Sequence, residues 1–330
     1  MITRRAFVGS LTGGLLAAPL AAEAQQAGKV YRIGYLASGP SLDPRLQQAL
    51  EDGLRDLGYV RGRQISIEYR FPAVGDTERL RLFAEELVKL PVDLIIAGTN
   101  PAVAAARQAT NTIPIIMATP ANPIRAGFVQ SLARPGGNVT GLTADPAPET
   151  IIGKQLALLK ECVPRLSRVA VLWNPAAPAY RDYFDILAIA ARQLSITPQS
   201  LEVQSPMDFE KAFDAARQQR SEGVIIFVDV LTFLHRKEIT DLAKKHRLPS
   251  VAYVREFAEA GGLLSYGVDF ADLYRRAAYY VDRIIKGSKP AELPIEQPTK
   301  FLLIVNSQTA RVLGLTIPPS LLARADQVIE

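Results

Sequence analysis

From Tyr31 onward, short apolar strands alternate with amphipathic helices, and the alternation runs through twice. A strand over residues 31–36 is followed by Leu46, Ala49, Leu50, Gly53, Leu54 and Leu57, the spacing of one helix face. Gly58 stops that helix. Further strands are predicted over 65–69, 94–97, 115–117 and 139–142. Between them come a helix carrying Leu80, Phe83, Leu87 and Leu90, one starting at Pro101, and a short one over 128–133. The alternation then restarts with Ile152, Leu156, Leu159 and Val163 on a helix face. Strands follow over 169–173, 201–203, 224–228 and 250–253, with helices over 180–194, 209–218 and 234–246. Two such runs predict an α/β fold of two Rossmann-like lobes, each a parallel sheet between helical layers.

The break falls in the Pro-rich stretch from Thr143 to Pro148. The tail offers a strand over 263–266, a helix lined by Leu273, Ala277, Tyr280, Val281 and Ile284, a proline-marked connector, and a strand over 301–305. These pieces are too few to bury a core of their own, so they complete the two lobes. One lobe is expected to take residues 25–143 with about 268–292, the other 144–267 with about 293–330. More than one crossing between lobes defines a hinge.

The first 24 residues read as an export signal. Arg4 and Arg5 make a basic start, an uncharged run follows to Ala22, and Ala22-Glu23-Ala24 is a small-x-small cleavage site. The paired arginines suit either the general or the twin-arginine route. No later segment holds the roughly 18 apolar residues a membrane span needs. Cys162 is the one cysteine, so an internal disulfide and a lipid anchor just after the signal are both excluded. Its place on a helical apolar stripe predicts a buried packing role. His235 and His246, widely separated, read as surface or capping residues, and no metal or other cofactor is expected. Net charge is +5 and falls to +4 once Arg4, Arg5 and Glu23 leave. That mild, scattered excess does not suit a nucleic-acid binder. The densest basic run, Lys244 to Arg247, ends a predicted helix and complements its dipole.

Ligands of open parallel sheets meet the carboxyl ends of the strands. The residues just past those ends therefore form the candidate ligand site: Ser38, Thr99, Asn100 and Asn122 in the first lobe, and Asn174, Asp229 and Tyr253 in the second. Thr99 and Asn100 open a helix, where hydroxyl, amide and free N–H groups suit a carboxylate. Asp229 suits an ammonium and Tyr253 a ring. Each also has a local use: Ser38, Thr99, Asn100 and Asp229 as helix caps, Asn122 and Asn174 as turn residues before proline, and Tyr253 as edge packing. Catalytic signatures are missing from the sequence. There is no Gly-x-Ser-x-Gly elbow and no phosphate loop, and Gly261-Gly262 precedes a strand instead of following one.

Several strings together carry a resemblance: Arg134-Pro135-Gly136-Gly137-Asn138-Val139-Thr140-Gly141, the run from Gly261 to Gly267, the run from Leu293 to Phe301, and Ala325-Asp326. With them the chain resembles the substrate-binding proteins of ABC transporters with type I periplasmic-binding architecture, the group that includes tryptophan/tyrosine-type binders. The resemblance spans nearly all of the mature chain. It implies a periplasmic monomer that holds a small molecule, an amino acid of aromatic or other kind, between two lobes and delivers it unaltered to a membrane permease. An Asp-Pro pair is common after the fourth strand in that group, where this chain has Asn122-Pro123. Two other readings stand beside it: a sensor or regulator input domain on the same fold, and an exported α/β hydrolase.

Overall fold

The computed structural model describes residues 29–330 except 74, 145–147 and 178–179. The export-signal reading of residues 1–24 lies outside the described residues, as does part of the Pro-rich break. The chain forms two compact units. Unit 1 takes residues up to Thr143 with Ala271–Glu296, and unit 2 takes Ala144–Phe270 with Gln297–Glu330.

Unit 1 is built on a five-stranded sheet of β1 (Tyr31–Leu36), β2 (Ile65–Arg70), β3 (Leu94–Ala97), β4 (Ile115–Met117) and β5 (Val139–Gly141), in the order β2-β1-β3-β4-β5 and parallel throughout. Helix α1 (Pro44–Asp56) is started by Asp43, whose carboxylate accepts the Arg45 N–H at 2.8 Å, with Pro44 pre-set for the first turn. It buries Leu50, Gly53 and Leu54. Helix α2 (Thr77–Lys89) is capped in the same way by Asp76 and buries Leu80, Ala84 and Leu87. Helix α3 (Asn100–Ala109) follows β3, whose four residues are all buried, as strands covered on both faces are. No helix spans residues 128–133. The chain there turns over residues 123–127, with the Phe128 N–H donating to the Pro123 carbonyl, and the Ser131 hydroxyl then captures the Arg134 N–H at 3.0 Å. Such side-chain competition favours a turn over a helix this short.

Unit 2 carries a seven-stranded sheet. Its strands are β6 (Arg168–Trp173), β7 (Thr197–Glu202), β8 (Val224–Ile226), β9 (Ser250–Ala252), β10 (Leu264–Val268), β11 (Phe301–Asn306) and β12 (Gln327–Ile329), in the order β12-β11-β10-β9-β8-β6-β7. The alternation along β6 shows how the sheet is sandwiched. Val169, Val171 and Trp173 join a core with Leu156, Leu159 and Leu187, whereas Ala170 and Leu172 join one with Phe209, Phe213 and Ile239. The first core is supplied by α4 (Pro148–Cys162) and α5 (Tyr180–Gln193), the second by α6 (Phe209–Gln218) and α8 (Arg236–Lys245). Cys162 is buried in the first.

This sheet is mixed, not purely parallel, because β10 and β11 run antiparallel. After β10 the chain builds α10 (Phe270–Ile285) and an extended connector before returning in the opposite sense as β11. The helix predicted over 234–246 is α8, and a short unpredicted helix, α7 (Val230–Leu234), precedes it and meets it at His235, whose Nδ1 pairs with Glu238 at 3.1 Å. The short helix α9 (Arg255–Glu259) and the strand β12 carry too little apolar pattern to be predicted from sequence. Strand β7 is longer than predicted because, as an edge strand, only its Leu201 is buried. A last pair of short helices, α11 (Ser307–Leu313) and α12 (Pro319–Leu322), precedes β12.

Candidate functional site

Strand order decides which loop residues meet. In unit 1, β1 and β3 are neighbours, so the residues two beyond each strand end face each other: the Ser38 and Thr99 hydroxyls lie 2.7 Å apart. Thr99 occupies the cap position of α3 in extended conformation yet makes no side-chain cap bond, so the local use expected of it is not the one it has. Its hydroxyl is turned to Ser38 instead, and the start of α3 is left without a side-chain acceptor from that position. Asn100 bridges to the next strand, donating to the Ala121 carbonyl at 2.8 Å and accepting the Ala121 N–H at 2.7 Å. Asn122 follows with a φ of 46° and accepts the Arg125 N–H, which makes it a turn residue, exposed, in the left-handed region that asparagine tolerates.

The floor beneath these groups is a buried pair of tyrosines. The Tyr35 and Tyr274 hydroxyls are 2.7 Å apart, and burial pushes both above the ordinary phenol range, so both stay neutral. A Cβ on Gly98 would meet these hydroxyls at 2.9 and 3.0 Å. Only glycine lets the backbone before Thr99 settle this close. The Thr119 hydroxyl then donates to the Gly98 carbonyl, tying the ends of β3 and β4.

In unit 2 the neighbours β6 and β8 bring together residues 55 apart in the chain. The Asn174 amide donates to Asp229 Oδ2 at 2.7 Å. Asp229 Oδ1 accepts the Thr232 N–H at 2.9 Å, and the Thr232 hydroxyl accepts the Asp229 N–H, a reciprocal cap at the start of α7. A carboxylate offers about four acceptor positions, so a cap and an amide do not exhaust it. Beside it, burial first and the Asp229 charge second hold the Tyr180 hydroxyl above its ordinary pKa, and it donates to the Val228 carbonyl. Its ring lies 5.5 Å from that of Phe227. Tyr253 follows the next strand, β9: its hydroxyl donates to the Ala144 carbonyl at 2.9 Å and its ring meets Phe270 edge-on at 6.2 Å.

Sequence reasoning passed over the end of β2. There Phe71 stacks on Tyr69, with ring centroids 5.6 Å apart and planes 15° from parallel. The alternation of Tyr69, Arg70 and Phe71 at the close of a strand was the available signal. Among the described residues no group of His, Cys, Asp and Glu is arranged to hold a metal ion, and no helix is long and apolar enough to cross a membrane.

Comparison with known proteins agrees with this architecture. Residues 32–329 match the family described as ABC transporter substrate binding protein. The tyrosine-binding protein of Clostridioides difficile (strain R20291) is 26% identical over 283 residues, covering 86% of this chain and 80% of that one. Among solved structures, an ABC domain in complex with L-Trp from Streptococcus pneumonia is 25% identical, with a TM-score of 0.78 and coverage of 91% of this chain and all (100%) of that one. A conserved domain protein from Vibrio cholerae O1 biovar El Tor matches with the same identity (25%), TM-score (0.78) and coverage (91% and 100%). The fold is that of the periplasmic binding proteins, and the chain belongs to the family of ABC transporter substrate-binding proteins.

Proposed function

We propose that the mature protein is the periplasmic receptor of an ABC-type importer, and that it captures an aromatic amino acid and passes it unaltered to a permease. The observation that carries this reading is the Asn174–Asp229 pair at the carboxyl ends of β6 and β8. It presents a fixed carboxylate with an amide beside it, the chemistry that receives an α-ammonium group. In unit 1, Ser38, Thr99 and Asn100 at the start of α3 supply hydroxyl, amide and backbone donors of the kind that receive a carboxylate. Asn122 and Tyr253 complete the set of proposed ligand residues, Asn122 as a neutral amide beside Asn100 and Tyr253 as an aromatic wall. The names of the relatives, one for tyrosine and one solved with L-Trp, supply the ligand class.

The export signal, delivery to the periplasm, a hinge at the chain crossings and a monomeric state belong to the same proposal. The test is to purify the protein, identify by mass spectrometry what co-purifies, and titrate tyrosine, tryptophan, phenylalanine and leucine by calorimetry. An aromatic L-amino acid that binds and elutes chemically intact is the expected result. A ligand released in altered form, or no response to any amino acid, overturns the reading. Ligand at 100 times its Kd raises stability by about 2.7 kcal/mol, which a thermal shift detects readily.

A further inference from the structure

The end of β2 carries chemistry that the polar groups of unit 1 do not explain. Strand alternation sends Arg70 to one face of the sheet, where its Nε pairs with Glu86 of α2 at 3.1 Å. Tyr69 and Phe71 go to the other face, beside Tyr35 of β1, whose ring lies 5.3 Å from Tyr69 and 6.0 Å from Phe71. The Phe71 ring is thus backed by a stacked Tyr69 and flanked by Tyr35, yet remains half-buried while Tyr35 is fully enclosed. A phenylalanine serving only as core would be expected to complete its burial. The Tyr69–Phe71 stack also fixes the ring's plane.

Position gives this ring a use. Leu36 pairs with Arg70, and the Ala37 N–H donates to the Arg70 carbonyl at 3.2 Å. Phe71 therefore stands opposite Ala37, one residue short of Ser38 on the adjoining strand, with neighbouring strands about 5 Å apart. Ser38 holds Thr99 at the start of α3. The same end of one sheet thus carries both an oriented aromatic face and the hydroxyl pair that suits a carboxylate. An aromatic amino acid carries both a ring and a carboxylate.

We propose that Phe71, backed by Tyr69, is the specificity-determining residue of unit 1, which selects ligands with a planar ring by stacking. This rests on the aromatic amino-acid reading above. Stacking and ring burial favour aromatic over aliphatic ligands, and Phe71→Leu removes the plane while keeping an apolar side chain.

The experiment is calorimetry of wild type, Phe71→Leu, Phe71→Ala and Phe71→Trp with tryptophan, tyrosine and leucine, alongside thermal unfolding of each variant. Phe71→Leu is expected to lower affinity for the aromatic ligands roughly 3- to 12-fold, and Phe71→Ala further. Any leucine affinity should change less than about threefold, and Phe71→Trp should retain aromatic binding. Equal losses for all ligands, or no loss in Phe71→Leu, overturn the assignment and leave Phe71 a packing residue. If Phe71→Ala does not fold, Phe71→Leu alone decides the outcome. A wild-type protein that binds leucine but no aromatic amino acid overturns the aromatic reading itself and this assignment with it. Wild-type aromatic binding with unselective variants overturns the Phe71 assignment only.

Discussion

Asn174 donates its amide to the Asp229 carboxylate at 2.7 Å, joining the exits of two adjacent strands through residues that each had a purely local use available. Asp229 does cap α7, and Asn174 does accept the Ala176 N–H in its own turn. The bond between them is what lifts the pair above turn chemistry.

Replacing Asp229 with Asn separates charge from capping, since asparagine caps as well as aspartate. The new amide nitrogen can no longer accept from Asn174, so stability is expected to fall by about 0.5–1.5 kcal/mol, by urea denaturation. Affinity for a zwitterionic amino acid should fall at least tenfold, because a hydrogen bond to a charged group is worth about 1.5–3 kcal/mol. Unchanged affinity by calorimetry would remove Asp229 from the ligand site.

Gly53 lies where α1 meets α10. A Cβ there would sit 2.5 Å from the Arg275 carbonyl oxygen and 3.0 Å from the Ala278 methyl. Alanine normally favours a helix over glycine by about 1 kcal/mol. Here the overlap is with backbone, which cannot rotate away, so Gly53→Ala is expected to destabilise by about 1–3 kcal/mol. A lower urea midpoint at unchanged slope would confirm it, and a stabilised variant would contradict the close packing.

Glu222 ties the entrances of β6 and β8. Burial opposes its ionisation, but the Ser167 N–H and hydroxyl and the Arg168 N–H outweigh burial and leave its pKa below the ordinary carboxylate range. A depressed folded pKa contributes stability above the unfolded value of about 4.3 and loses it as pH falls through the folded value. Glu222→Gln should therefore be less stable than wild type at pH 7, with the gap closing toward pH 3. Urea midpoints of the two proteins across that range test the sign.

Cys162 is buried, and burial first, with the Glu161 charge second, pushes its thiol up to about 12. The thiolate is the reactive form, so the native protein should be inert to a chromogenic disulfide reagent at pH 8 and react fully in guanidinium. Rapid labelling of the native protein would mean that this core opens readily.

Much of the sheet architecture was legible because strands buried on both faces read as continuous apolar runs, as Leu94 to Ala97 do. What escaped lay where burial is partial. The edge strand β7 buries Leu201 alone, and the exposed pattern of β12 resembles a loop. The direction of β11 depended on where the chain went between β10 and its return, which local pattern does not record. Among the candidate site residues, Ser38 with Thr99 and Asn174 with Asp229 were named singly from strand ends. Their pairing follows from strand order, which only the folded sheets supply. Phe71 escaped because its ring is remarkable only for the Tyr69 beneath it.

The departure of the chain after β10 to build α10 and its return as β11 has a consequence for anyone wishing to dissect the molecule. Each unit is stitched from two stretches that are not contiguous in the gene. A truncation after Thr143 would strip the first sheet of Tyr274 and of the helix against which Gly53 packs. A truncation after Phe270 would take β11 and β12 from the second. Expressing either unit alone therefore calls for a splice joining its two stretches, not a shorter reading frame.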